Sequence, residues 1–449
     1  MTLDDSVALL TDLYEFAMVD AYLEEDLHDE AVFSLFIRRL PQRRNYLLAC
    51  GLEDVLRYLE TLRFTPEQIG YLASLGRFSD RLLRYLERFR FSGEVCAVPE
   101  GTPVFGEEPI LEVVAPLPEA QLVETYLLNQ IHLQTLAASK AVRVVEAAAG
   151  RPVMEFGLRR IHGVDAGVKV ARAAFIAGVD STSNVLAGQR YGIPLSGTMA
   201  HSFVQAHDDE LEAFRAFVRC FPEATLLVDT YDTLRGVQHA IRLARELGDT
   251  FHVRAIRLDS GDLLALSRAA RQMLNDAGLQ RVKIIASGNL DEESIARLLS
   301  QRAPIDGFGV GTAMGVSVDV PCLDIVYKLV AYGGKDRIKL STSKVLFPGR
   351  KQVFRITEAS GAVCRDVLAR YGEQLEGRPL LRPVMRDGKR VPGSSPTLTE
   401  IRKYARDEME RLPSTLRSLE PVNPPYRVEA TPVLAWTRAQ LTEAWEASP

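Results

Sequence analysis

The 449-residue sequence lacks the features that would tie it to a disulfide framework or to nucleic acid. Its five cysteines are scattered and never form a CxxC pair, which favours reduced thiols in a cytosolic protein over disulfides or a zinc site. The net charge of −5 is small for this length, so neither nucleic acid nor an anionic membrane surface is expected as a partner. Any anion would have to bind at a local site.

Long apolar runs and metal-binding spacings are also missing. The first residues, Met1–Asp5, are acidic and lead into no apolar segment long enough for a signal peptide or a spanning helix. We therefore expect a cytoplasmic location. No HxH or HExxH spacing supports a protein-bound transition metal, and no internal repeat or low-complexity tract is evident.

The composition is that of a globular protein with several domains. With 47% hydrophobic and 25% charged residues the chain can bury a large core, and its length predicts two or three domains. We predict an α+β domain over residues 1–135, a β/α barrel over 136–335, and a segment 336–449 that packs on or completes the N-terminal domain. Strand-like alternation covers Ala31–Arg38, and a charged helix is expected at Leu398–Arg411.

The barrel prediction depends on short apolar runs that alternate with helical segments. These runs are Val153–Arg160, Gly178–Asn184, Ile193–His201, Leu226–Thr230, Ala255–Asp262, Lys283–Asn289 and Gly307–Thr312. So many parallel βαβ units in series favour a closed, irregular β/α barrel over an open sheet. Polar or glycine residues near the strand ends would then converge on one mouth: Arg159, Asp180, His201, Asp229, Arg257, Asp259, Ser287 and Gly311.

Two glycine turns near the end of this series predict a phosphate site. The turns Ser287–Asn289 and Gly309–Thr312 follow successive strands, where barrels commonly bind phosphate through backbone N–H groups. Ser287 and Thr312 add hydroxyl donors. Either turn alone would be read as an ordinary glycine turn, but the tandem arrangement favours phosphate binding.

Arg257 and Asp259 lie two residues apart on one predicted strand, so their side chains point the same way. At a barrel mouth this pair suits a planar anionic ring and a ribose diol, whereas on an isolated strand it would be a structural ion pair. Asp229, on a neighbouring strand, would orient His201 and fix its tautomer. We interpret His201 as a catalytic histidine that accepts a phosphoryl group.

Two features stay ambiguous from the residues alone. The run Arg38–Arg44 contains four arginines, which suit either a solvated loop or contact with an anionic substrate. Tyr14, on a helix predicted over Leu9–Leu23, fits a core or edge position better than a platform for a ligand.

Six motifs taken together resemble the nicotinate phosphoribosyltransferase family. They are Leu10–Tyr14, Glu155–Arg160, Ser183–Gly188, Gly197–Phe203, Asp229–Thr233 and Arg257–Asp262, and the resemblance ends near Val330. The remainder of the chain is similar only loosely. The resemblance implies a type II phosphoribosyltransferase that joins nicotinate to phosphoribosyl pyrophosphate, giving nicotinate mononucleotide and pyrophosphate. It also implies ATP hydrolysis coupled through a phosphohistidine.

The resemblance further implies a role for each residue at the mouth. His201 would take the phosphoryl group with support from Asp229. The nicotinate would meet Arg257, Phe156 or Arg159, Gly197, Ser202 and, across the interface of a homodimer with shared active sites, Tyr14. Asp259 would hold the ribose, and the 5′-phosphate would meet Ser287, Gly288, Gly311 and Thr312. Mg²⁺ would accompany the diphosphate, and ATP would be a co-substrate.

Three rival activities stay open. A nicotinamide-using enzyme of the same fold would need an acidic acceptor near the ring, for which Asp180 is available. A decarboxylating quinolinate enzyme would need more basic residues and would have no use for ATP or His201. A barrel lyase or isomerase acting on a sugar phosphate would share the phosphate turns, with Lys283 and Lys328 as candidates for a Schiff base.

Overall fold

The computed structural model describes residues 7–340 and 346–447, so the acidic segment Met1–Asp5 lies outside the described residues. The chain divides into two compact units, one formed by Met1–Ser139 with Cys322–Pro449 and the other by Lys140–Pro321. The domain limits predicted from the sequence, at residues 136 and 335, stay predictions.

The α-helices alternate with the strands along much of the chain. In chain order they are α1 (Leu13–Glu24), α2 (Leu52–Thr61), α3 (Pro66–Ser74), α4 (Asp80–Glu87), α5 (Leu117–Leu122), α6 (Glu124–Ala147), α7 (Val164–Ile176), α8 (Val185–Tyr191), α9 (His201–Gln205), α10 (Glu210–Cys220), α11 (Thr233–Leu247), α12 (Leu263–Asp276), α13 (Glu292–Ser300), α14 (Thr312–Gly315), α15 (Leu398–Arg411) and α16 (Pro432–Glu446). The charged helix expected at Leu398–Arg411 is confirmed as α15.

The strands are short in the second unit and longer in the first. In chain order they are β1 (Glu30–Ile37), β2 (Leu47–Leu48), β3 (Glu94–Ala97), β4 (Pro103–Val104), β5 (Pro109–Pro116), β6 (Val153–Glu155), β7 (Ser181–Thr182), β8 (Thr225–Leu227), β9 (Ala255–Leu258), β10 (Lys283–Ala286), β11 (Gly307–Val310), β12 (Ile325–Tyr332), β13 (Lys335–Asp336), β14 (Lys351–Thr357), β15 (Val363–Arg370), β16 (Arg378–Pro379), β17 (Arg382–Arg386), β18 (Lys389–Arg390) and β19 (Arg427–Ala430).

The first unit is organised around a seven-stranded sheet with the order β13-β12-β1-β5-β3-β17-β18. Its neighbouring strands run antiparallel, and β12 and β17 pair with β1 and β3. The segment after the barrel therefore completes the N-terminal domain, as the fold prediction allowed. β12 falls within the range predicted for the barrel, but it belongs to this antiparallel sheet. A second sheet, β16-β14-β15-β19, is formed by C-terminal strands alone.

The second unit contains six parallel strands in the order β7-β6-β11-β10-β9-β8. The pairing of β6 with β11 joins the first and last strands of the series, so the spatial order follows a barrel cut open at one place. A bridge between Thr182 and Leu195 extends the β7 edge. The irregular β/α barrel is confirmed, but the expectation of full closure is wrong. Among the described residues, no strand pairing joins β8 to β7 or to Leu195.

The parallel sheet is stabilised by apolar side chains beneath its helices. Leu226, Ile256 and Ile284 are fully buried in one cluster with residues of α11, and burial of such a side chain contributes roughly 1.5–3 kcal/mol. Gly236 of α11 lies against the end of β8, because a Cβ there would come within 2.0 Å of the Val228 carbonyl oxygen. This close approach packs α11 directly on the strand that leads to the mouth.

Several polar residues that follow the strands are helix caps. The side chains of Asn184, Asp232, Asp262 and Asp291 accept hydrogen bonds from backbone N–H groups at the starts of α8, α11, α12 and α13. Asp232 and Asp262 belong to the acidic motifs noted in the sequence. These two acids are therefore helix caps, unlike the acids that face the mouth.

Glu15 is a fully buried acid on α1 in the first unit. The burial raises the pKa of Glu15 to about 7; a hydrogen bond from Gln121 lowers it, and the carboxylate of Glu124 raises it further. The pKa is therefore higher in the folded chain than in the unfolded chain. Glu15 supports folding fully below its unfolded pKa, and this support is lost as the pH rises to about 7.

We predict that Glu15→Gln changes how stability depends on pH. The neutral amide avoids burying a charge, so the variant should gain free energy of unfolding relative to the wild type as the pH rises from about 4.5 to about 7. The shift from 4.5 to about 7 spans about 2.5 pKa units, so the gain is at most about 3.5 kcal/mol at about 1.4 kcal/mol per unit. Urea unfolding at pH 5 and pH 8 measures it. Glu24 is exposed on the same helix and provides the control variant Glu24→Gln. An equal gain there would contradict the prediction.

Candidate active site

The mouth of the parallel sheet is formed by the residues that follow its strands. Because the strands are parallel, their C-terminal ends lie at one edge. The residues at this edge are Phe156 after β6, Asp229 and Thr230 after β8, Asp259 after β9, Ser287 and Gly288 after β10, and Gly311 and Thr312 after β11. Arg257 lies within β9, two residues before Asp259.

Arg257 is the centre of the hydrogen-bond network at the mouth. Its Nη1 donates to Asp259 Oδ1 at 2.8 Å and to Ser287 Oγ at 3.1 Å, and its Nη2 donates to the Met199 carbonyl at 3.0 Å. The side chain is 12% exposed. Its buried Nε has no hydrogen-bond partner among the described residues. The predicted alignment of Arg257 and Asp259 is present.

Charged groups of both signs surround Arg257. Burial lowers the pKa of Arg257; the carboxylates of Asp259 and Asp229 oppose this shift, and the positive charge of Arg159 adds to it. Two guanidinium groups therefore act on the same space. Arg159 is exposed, so its side chain can turn toward an incoming carboxylate or phosphate.

Asp229 positions the neighbouring strand end. Its Oδ2 accepts hydrogen bonds from the Asp259 backbone N–H at 3.1 Å and from the Ser260 hydroxyl. Its buried Oδ1 has no hydrogen-bond partner among the described residues. One carboxylate oxygen thus fixes Asp259, and the other makes no hydrogen bond within the described residues.

His201 begins α9 and faces Thr230 and Asp259. Its Nδ1 lies 3.2 Å from Thr230 Oγ1, and its Nε2 lies 3.9 Å from Asp259 Oδ2. The direct support expected from Asp229 is therefore made by its neighbour Thr230 in this structure. The sequence reasoning missed Thr230, although its place beside Asp229 at the end of β8 was a signal. The ring is 41% exposed, which leaves Nε2 accessible.

The two glycine turns are held close to their neighbours. Gly288 has φ +86°, and a Cβ there would come within 1.8 Å of the Asp259 carbonyl oxygen. Ser287 is buried and donates its hydroxyl to Asp259 Oδ1. At the other turn, a Cβ on Gly311 would come within 3.1 Å of the Phe156 carbonyl oxygen. The first turn is thus joined to β9 and the second to the end of β6.

The residues assigned to nicotinate are less tightly clustered. Phe156 is half-buried, and its ring lies where a Cβ on Gly309 would be. Gly197 and Ser202 are exposed, and a Cβ on Gly197 would meet open space. Tyr14 lies in the other unit, where it is 49% exposed on α1. The roles of these residues toward nicotinate stay predictions.

Glu155 is a second residue that the sequence reasoning missed. It ends β6, is buried, and accepts hydrogen bonds from the Thr182 hydroxyl at 2.6 Å and from the Gly157 N–H. Burial raises its pKa, and both hydrogen bonds oppose the shift. Glu155 joins the ends of β6 and β7 below Phe156. Its position at a strand end, next to the Phe-Gly pair, was the available signal.

Asp180 does not lie at the mouth, contrary to the sequence-based expectation. It precedes β7, and its Oδ2 accepts a hydrogen bond from the Val153 N–H at the start of β6. It therefore lies at the opposite edge of the sheet.

The lysines considered for a Schiff base are also elsewhere. Lys283 starts β10 and pairs with Asp306, and Lys328 lies on β12 in the antiparallel sheet.

Within residues 7–340 and 346–447, no helix has the length and apolar character required to cross a membrane. The same residues contain no group of three or more His, Cys, Asp or Glu side chains that could hold a metal ion.

The parallel sheet and the polar residues at its mouth define an enzyme of the β/α class. Family models match three stretches: the nicotinate phosphoribosyltransferase N-terminal domain at residues 9–132, the nicotinate phosphoribosyltransferase family at 152–344, and its C-terminal domain at 373–437. The chain belongs to the nicotinate phosphoribosyltransferase family, as the sequence motifs predicted.

Relatives match along most of the chain. A nicotinate phosphoribosyltransferase of Mycobacterium tuberculosis is 54% identical over 97% of this chain and 94% of its own length. That of Bacillus subtilis is 46% identical over 84% of this chain and 79% of its own. The crystal structure of human nicotinic acid phosphoribosyltransferase matches with a TM-score of 0.86 at 30% identity, covering 96% of this chain and 99% of that chain.

We predict that Gly288→Ala lowers phosphoribosyltransferase activity by about 100-fold or more, because the added Cβ would displace the Asp259 backbone. Gly278→Ala is the matched control: Gly278 has a similar φ of +76° but open space around it. Both variants carry the strain of a positive φ, and only the first carries the clash. Steady-state kinetics on both variants, with melting curves, test this. Equal losses of activity in the two variants would contradict the prediction.

Proposed function

We propose that the chain joins nicotinate to 5-phosphoribosyl 1-pyrophosphate, giving nicotinate mononucleotide and pyrophosphate, in the salvage branch of NAD biosynthesis. The observation that carries the proposal is the network in which Arg257 contacts Asp259 and Ser287 at adjacent strand ends. This network brings a guanidinium for a carboxylate, an acid for a ribose and a glycine turn for a phosphate within one site. The relatives named above support the choice of nicotinate.

Arg257 and Arg159 would bind the nicotinate carboxylate, with Phe156, Gly197 and Ser202 around the ring and carboxylate. The Nε of Arg257 supplies a donor that no described residue uses. Displacing pyrophosphate from C1 of the ribose builds positive charge on the sugar, so the site needs positioning and charge stabilisation more than a strong base. Asp259 would hold the ribose and is itself held by Asp229.

The 5′-phosphate would lie between the turns Ser287–Gly288 and Gly311–Thr312. Mg²⁺ would supply charge neutralisation to the diphosphate. The buried Oδ1 of Asp229, which no described residue bonds, fits this group because a carboxylate oxygen suits a Mg²⁺-bound water. No protein-bound transition metal is part of the proposal.

ATP would phosphorylate His201 at Nε2. In this step the γ-phosphoryl group leaves ADP, its P–O bond breaks, and an N–P bond forms at the imidazole. The reaction needs a neutral ring with its lone pair at Nε2, which is the tautomer whose Nδ1–H donates to Thr230. The added negative charge would arise near the Asp259 carboxylate, which lies 3.9 Å from Nε2. That repulsion offers a route by which phosphorylation alters the ribose-diphosphate site.

We also propose a cytoplasmic homodimer whose active sites are shared. The five cysteines are all free, which suits a reducing compartment. The half-exposed Tyr14 and the exposed Leu13 beside it offer an apolar surface on α1 that a second subunit could cover. In such a dimer Tyr14 would stack on the pyridine ring of the neighbouring site.

Incubation with γ-labelled ATP tests the role of His201. We expect an acid-labile label in the wild type, no label in His201→Ala, and loss of the part of the rate that depends on ATP. His207→Ala is the matched control, since His207 donates its Nδ1–H to the Phe203 carbonyl. A label that persists in His201→Ala would overturn the assignment.

Assays with nicotinate, nicotinamide and quinolinate test the substrate. We expect product from nicotinate, because the mouth offers Arg257 and Arg159 to a carboxylate and Asp180 lies at the opposite edge of the sheet. Product from nicotinamide or quinolinate but not from nicotinate would overturn the proposal.

A further inference from the structure

We propose that Lys140 is a positioning residue that links the two phosphate turns and thereby sets the affinity for the phosphoribosyl substrate. This inference rests on the proposed function, because it takes Ser287–Gly288 and Gly311–Thr312 as the site of the 5′-phosphate. Lys140 itself would not contact the substrate.

Lys140 is a buried cation on α6. Its side chain is 2% exposed, and its Nζ lies 2.5 Å from Glu292 Oε2 and 2.7 Å from Asp319 Oδ1. Arg143, one turn later on the same helix, donates its Nε to the other oxygen of Glu292 at 3.0 Å. Two cations and two acids therefore balance within one cluster of the second unit.

Glu292 ties this cluster to the first turn. It is the first residue of α13, which begins only a few residues after Ser287–Gly288. In the segment between Gly288 and Glu292, Asn289 has φ +50° and Leu290 is buried. This connection is therefore short and conformationally restrained. A shift of Glu292 would move the turn that follows β10.

Asp319 ties the cluster to the second turn. The segment after Gly311 is closed by successive backbone hydrogen bonds, from Gly315 N–H to the Gly311 carbonyl and from Val318 N–H to the Ala313 carbonyl. Ser317, within this segment, is buried with φ +45°. Asp319 follows directly, so the position of its carboxylate is coupled to the position of Gly311 and Thr312.

Buried ion pairs add little net stability, because removing both charges from water costs about as much as their attraction returns. Their clearer effect is to fix geometry. One ammonium between two carboxylates sets the separation of the two carboxylates, and here each carboxylate continues into one phosphate turn. Since a misplacement of about 1 Å can lower reactivity 100-fold, this separation should matter for a ligand that both turns must grip.

Calorimetric titration with ribose 5-phosphate and, separately, with nicotinate tests the inference without requiring turnover. For Lys140→Met we expect the affinity for ribose 5-phosphate to fall by about tenfold or more relative to the wild type. The affinity for nicotinate should stay within about twofold. In steady-state assays the KM for phosphoribosyl pyrophosphate should rise more than the KM for nicotinate. Lys169→Met is the control, because Lys169 is also a largely buried lysine and its Nζ pairs with Asp165 of its own helix, α7.

If Lys140→Met does not fold, Asp319→Asn gives the same test, since Asp319 is partly exposed and its loss frees only the second turn. Unchanged ribose 5-phosphate binding in a folded variant would overturn the inference, as would equal weakening of both ligands. Ser287→Ala separates this result from a failure of the proposed function. If Ser287→Ala and Thr312→Ala also leave ribose 5-phosphate binding unchanged, the phosphate site itself is misassigned and both proposals fail.

Discussion

The guanidinium of Arg257 is the interaction on which the mouth depends. It lies on β9, yet it contacts the carboxylate that ends its own strand, the hydroxyl that begins the turn after β10, and the backbone just before His201. Its 12% exposure means that these contacts replace water. A single cation thus holds Asp259, the turn at Ser287–Gly288 and the segment before His201 together.

Acids near the strand ends divide into two kinds that look alike in sequence. Asp232 and Asp262 cap α11 and α12, whereas Asp229 and Asp259 face the mouth. Each motif therefore contains one acid that caps a helix and one that faces the mouth. Spacing alone could not separate them, because the distinction depends on where each helix starts relative to its strand.

Local patterns predicted the local elements well. The helix Leu398–Arg411 and the strand around Ala31–Arg38 were found because periodicity is a property of neighbouring residues. Asp180, β12 and Thr230 could not be placed so easily, because their environments come from distant segments. The apolar run Ile325–Tyr332 suits a barrel strand, but it pairs with β1. Asp180 lies beside β7, which has only two residues, and the sequence pattern does not show whether an acid precedes or follows so short a strand.

The incomplete barrel has a consequence for His201. The pairing stops between Leu195 and β8, and the chain from Ser196 to the start of α10 occupies that part of the series. A further strand there would have set this backbone into the sheet and directed alternate side chains into the barrel or its helices. Instead His201 begins a short helix with its ring 41% exposed, while Thr230 still fixes one nitrogen. The phosphoryl-accepting role that we propose for His201 needs both an accessible ring and a fixed nitrogen, and the open seam is consistent with both.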